Sequence, residues 1–177
     1  HAQRFDVTPE GVYFPRLGAI AAGEYFGRIN GGAWSKEGDN LIVTEGFAHM
    51  LNSAFDAGTP KAAGHYLAIF SGGTAPAANW TAQSFAAVAS EITSMTEGHT
   101  GATRPVWTAA KTNTGSIDNM AAAASLTIAT AGTLNVTGAA LLTSSQRGGT
   151  TGALVSASLY PVPRTFQNGD VYGIQGG

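Results

Sequence analysis

The apolar positions along the chain keep a helical rhythm in one early segment and a strand rhythm over much of the rest. In "NLIVTEGFAHMLNSAFDAG" they fall at Phe47, Met50, Leu51 and Phe55, spaced i, i+3, i+4 and i+8, which predicts a helix near residues 44–56. Thr44 is its candidate N-cap, Glu45 stands in the first turn, and Gly58 followed by Pro60 closes it. A second helix is predicted near 81–92, capped by Thr81, with Phe85, Val88 and Ile92 on one side. Between them "HYLAIFSGG" carries the nearly continuous apolar run of a strand covered on both faces, and it belongs in the middle of a core.

From Arg104 onward the texture is β. Leu126 and Ile128 alternate with Thr127 and Ala129, and Leu134 and Val136 with Asn135 and Thr137. Turn chemistry separates these short runs: Thr-Gly, Asp-Asn, Ala-Gly, Arg-Gly-Gly and the Asn168–Gly169 pair. Short connections imply antiparallel pairing. The fold class expected is mainly β, an antiparallel β-sandwich or jelly-roll-like body over residues 41–177 with one or two short helices.

Residues 1–40 hold neither period. They mix repeated glycines with Phe5, Tyr13, Phe14, Tyr25, Phe26 and Trp34, too many aromatics for a solvated tail. The expectation is an extended N-terminal arm whose aromatics bury themselves on a neighbour.

Composition sharpens this picture in one respect. Only 11% of the 177 residues are charged, against about 25% in an ordinary soluble domain. Such a surface is either covered by Ser, Thr and Asn or hidden by neighbours in an assembly, and burial in an assembly is the preferred reading. A net charge of −2 with nine scattered Lys and Arg offers no footprint for a nucleic-acid backbone. Without cysteine there is no thiol catalysis, iron–sulfur cluster or Cys-ligated zinc. No apolar run reaches the length of a membrane span and the first residues hold no signal-peptide core, so no membrane partner is expected.

The candidate chemistry is sparse. "SSQRGGTTGALVSASLY", Ser144–Tyr160, looks like a phosphate loop, but Gly148, Gly149 and Gly152 lack the spacing and the lysine, and a strand pattern follows where a helix is needed. It reads as a hairpin turn carrying Arg147. There is no G-x-S-x-G, and His49, with no metal-ligand partner at i+4, reads as a rim histidine. His65 and His99 sit beside glycines, and Glu97 with His99 is too small a set for a metal centre. Trp80 and Trp107 are candidate saccharide platforms that more ordinarily serve as core anchors. "NWT" and "NVT" place glycosylation acceptor patterns at Asn79 and Asn135. No catalytic residue, cofactor or metal site is expected.

The phrases "HYLAIFSGG", "GHTGATRPVWT" and "SLTIATAGTLNVTGAALLTSSQRGGTTGALVSAS" resemble small virion structural proteins of tailed bacteriophages, over about residues 65–175. In that family a lysine is common where this chain has Arg147. The resemblance implies a non-enzymatic particle component: a capsid decoration or cement protein on the virion surface, or alternatively a tail, baseplate or head-fibre part. The implied partners are a major capsid protein or other virion proteins, and sister copies in a homo-oligomer, a trimer by preference. Phe5, Phe14, Tyr25, Phe26, Trp34 and Arg147 are the candidate interface residues.

Overall fold

The computed structural model describes residues 5–7, 13–15, 21–110 and 115–177. Among the described residues the fold is mainly β with two α-helices. A two-stranded ladder, β1 (Phe5–Val7) with β2 (Tyr13–Pro15), stands outside the main sheet. The main sheet has nine antiparallel strands: β3 (Gly23–Ile29), β4 (Ser35–Ile42), β5 (His65–Phe70), β6 (Gly98–His99), β7 (Val106–Trp107), β8 (Ala124–Ala129), β9 (Leu134–Leu142), β10 (Leu154–Phe166) and β11 (Val171–Gly176). Their order is β6-β8-β11-β3-β4-β10-β9-β5-β7.

This sheet curls on itself. Tyr25, Leu126, Ile128, Tyr172 and Ile174 from β3, β8 and β11 share one apolar cluster with Leu67, Ile69, Val136, Ala139 and Phe166 from β5, β9 and β10. The two edge strands, β6 and β7, are joined by residues 100–105 alone. A chain of that length reaches about 25 Å at most, so the edges are held near one another. Trp107 on the β7 edge donates its indole N–H to the Gly176 carbonyl of β11, 3.1 Å away.

The segment "HYLAIF" forms β5 as the pattern predicts. Leu67 and Ile69 enter the inner cluster, while Ala68 and Phe70 face a second cluster with Trp80, Phe85, Ala140, Leu142 and Leu154. Helix α2 (Ala82–Val88) covers that outer face. Thr81 caps it in a reciprocal box with Ser84, as a hydroxyl residue at this position should. The helix is shorter than expected, and Ile92 lies beyond it in the inner cluster.

Helix α1 (Thr44–Phe55) runs where it is predicted, but Val43 rather than Thr44 is the N-cap residue, and Thr44 is the first helical residue. Glu45 does more than face the helix N-terminus. Its carboxylate accepts N–H bonds from Ala82 and Leu154, both 2.7 Å, tying α1 to α2 and to β10. Gly46 lies directly on the β10 backbone, and any added Cβ would collide with the Val155 carbonyl.

The expected arm boundary at residue 40 falls inside the sheet. β3 pairs with β11 on one side and β4 on the other, and β4 joins β10 through Ile42↔Ser156 and Leu41↔Ala157. Residues 23–42 are therefore strands of the body. Their period was hidden by a register shift between Tyr25 and Phe26 and by glycines. At Gly27 a side chain would strike the Glu37 carboxylate and the Tyr172 ring.

Candidate interaction surface

Each expected interface residue has a definite place. Phe14 pairs with Asp6, and Phe5 with Pro15, in the β1–β2 ladder; their side chains lie outside the described residues. Tyr25 is not at a surface: it is 2% exposed, and its hydroxyl lies 3.0 Å from Ser156 Oγ. Burial pushes its pKa up to about 12, so it stays a neutral hydroxyl. Trp34 is half-buried under the Arg28 guanidinium, 4.5 Å from the ring centre. Phe26, half-buried, lines a cavity of about 480 Å³ with Asp39, Asn40, Asp118 and Gln175.

Arg147 corrects the expectation most plainly. The β9–β10 connection is the hairpin that the glycines suggest, with Leu142 opposite Leu154 and Thr143 N–H bonded to the Ala153 carbonyl. Gly148 and Gly152 take φ of +67° and +88°, which glycine adopts without strain. The guanidinium, however, turns inward. It donates to the carbonyls of Ile92 (3.3 Å), Ser94 (2.7 Å), His99 (3.0 Å) and Gly101. A cation serving four backbone acceptors of its own chain is a clasp on the 92–101 segment.

Beside it lies a pair that the sequence did not single out. Arg104 Nε and Nη2 donate to Glu91 Oε1 and Oε2, both 2.7 Å, while Nη1 reaches the Ser144 carbonyl at 2.9 Å. The Gly148 N–H adds a third bond to the Glu91 carboxylate. A bidentate, fully buried pair of this kind is visible only once folding brings residues 91, 104 and 148 together.

The other candidate groups disperse. Glu97 accepts from Thr130 Oγ1 and the Ala131 N–H, which holds its carboxyl below the usual range. His99 is buried next to Arg147, and burial first, then that cation, pushes its pKa down to about 4. Among the described residues, no three metal-ligating side chains converge. Trp80 is 6% exposed inside the outer cluster.

What the fold does expose is the apolar side of α1. Phe55 is 85% exposed, Leu51 56% and Met50 36%, while the only fully buried residue of the helix is Gly46. The helix thus turns Met50, Leu51 and Phe55 of its predicted apolar stripe outward, while Phe47 is half-buried. Its one charged residue, Glu45, is bonded inward. No family model, curated protein or solved structure matches this chain. Covering a Leu and a Phe recovers about 2 kcal/mol each, so leaving both side chains in water forgoes about 4 kcal/mol of burial.

No described helix is long and apolar enough to cross a membrane.

Proposed function

We propose that this chain is a non-enzymatic structural component of a tailed-bacteriophage virion, a decoration protein held on the capsid surface as a homo-oligomer, with a trimer favoured. The curled sheet is read as its jelly-roll-like body, and the N-terminal twenty residues with the α1 stripe as its attachment elements. The observation that carries the reading is the outward apolar stripe Met50–Leu51–Phe55 on a chain with only 11% charged residues.

A second feature supports it. The phrases that carry the resemblance, "HYLAIF", "GAALL" and "ALVSAS", are hydrogen-bonded neighbours in the order β10-β9-β5. They amount to one contiguous unit of structure. The test is localisation on purified particles by immunogold labelling, with removal of residues 1–20 and Phe55→Ser as variants. Label on the head that is lost in both variants supports the reading. Absence of the chain from purified particles overturns it.

The alternative, a tail or fibre component touching a receptor glycan, draws on the cavity beside Phe26. An aromatic face with Asp39, Asn40, Asp118 and Gln175 suits the hydroxyls of a saccharide. Label on the tail, with glycan binding lost in Asn40→Ala, would favour it.

A further inference from the structure

The inward side of α1 carries polar groups as well as Gly46. His49 and Ser53 are separated by one helical turn and so share a face. β5 begins beneath that face with His65. The His49 and His65 ring centres lie 6.0 Å apart, edge to face, and His65 stands equally far from Trp107. Lys61 and Ala62 close the site from the α1–β5 connection, and Met50 and Ala54 complete a cavity of about 350 Å³.

The chemistry of this lining is one-sided. Among the described residues it holds a lysine and two histidines and no carboxylate. Asp56, the next acid along the chain from α1, is turned onto the Gly58 N–H and Thr59 Oγ1. Ser53 Oγ is buried and has no hydrogen-bond partner among the described residues. A buried hydroxyl without a partner is uncommon enough to ask what completes it. Burial first, then the charges of His49 and Lys61, hold the His65 ring below its ordinary value. A further positive charge is thus unwelcome here, and a negative one would relieve the site.

We propose that this pocket binds an oxyanion, the shared chemistry of a phosphate and a carboxylate group. Lys61 supplies the fixed charge, the two imidazoles supply N–H donors, and Ser53 supplies the hydroxyl. A divalent cation is the poorer occupant, because only two ligating rings face it and a lysine stands beside them. A carboxylate on a partner segment is one such oxyanion; that source rests on the docking function proposed above, whereas anion binding does not.

The test follows the ring-carbon protons of His49 and His65 by NMR in the full chain. Inorganic phosphate and sodium acetate are titrated separately, with His99 as the internal reference and sodium chloride at matched ionic strength as the blank. Both rings should show a saturating shift that His99 does not share, and the His65 midpoint should rise by about one pH unit at saturation. Lys61→Met should weaken the response about ten-fold, as expected for one lost charge-assisted bond. Saturation by acetate at lower concentration than phosphate assigns a protein carboxylate, and the reverse order a phosphate group. A response no larger than that to chloride overturns the proposal, as does binding of zinc chloride with none of phosphate. Lys61 is exposed, so its variant should fold; the wild-type titration decides the matter in either case. Loss of anion binding with normal particle attachment would sink this inference alone.

Discussion

Arg104 and Glu91 face each other as a bidentate ion pair with both side chains 1% exposed, where the β5–β7 connection meets the β9–β10 hairpin. The pair joins the segment between the two sheet edges to the Ser144–Gly148 turn. Removing one partner leaves a buried charge uncompensated. Arg104→Met should therefore cost about 3–5 kcal/mol in urea unfolding, and Arg104→Met with Glu91→Leu should recover part of it. Equal losses in the single and double variants would argue against a coupled pair.

Arg147 is a fold element, so its replacement should register first in stability. Arg147→Ala leaves the carbonyls of Ile92, Ser94, His99 and Gly101 short of a donor. A loss of about 2–3 kcal/mol is expected, measured as a lower denaturation midpoint. Faster amide exchange should be confined at first to residues 92–101.

His99 gives the fold an acid-sensitive point. Its folded pKa of about 4 lies below the unfolded value near 6.5, because burial and Arg147 oppose the charged ring. Above pH 6.5 the ring is neutral in both states and its share of stability is full. As pH falls from 6.5 to about 4, the unfolded chain takes up a proton that the folded chain refuses, and stability declines. The loss should be of order 2 kcal/mol once water screening around the segment is allowed for. His65, also depressed, adds to the slope in the same direction. His99→Asn should flatten the profile of unfolding free energy against pH over this window.

The α1 stripe separates attachment from folding. Phe55→Ser and Leu51→Ser alter exposed side chains, and each should change stability by no more than about 0.5 kcal/mol. Their effect should appear instead in sedimentation and in particle attachment, weakened about ten-fold or more per residue. Attachment equal to wild type would remove this face from the interface.

Truncation tests where the arm ends. Removal of residues 1–20 leaves every strand of the nine-stranded sheet in place, and a cooperative unfolding transition should survive. Removal of residues 1–40 takes away β3 and most of β4, which bridge β11 to β10. The remaining chain should lose its cooperative transition and aggregate through the opened strand edges.

The sequence by itself determined the local elements whose signals are short-range. The apolar run of β5, the alternation of β8 and β9, the Thr81 cap of α2 and the glycine turn before β10 all follow from propensity and period. It misplaced residues 23–42, because a bulge and five glycines break the alternation that marks a strand. Tertiary structure alone decided orientation and pairing. Periodicity announces that α1 has an apolar stripe, yet the stripe faces outward because Gly46 admits the close approach to β10 and Glu45 fixes it there. Likewise a charged residue in sequence carries no record of its partner. Glu91 finds Arg104, 13 residues on, and Arg147 finds four carbonyls 46 to 55 residues away, only when the folded segments share a low-dielectric interior in which each polar group must be matched.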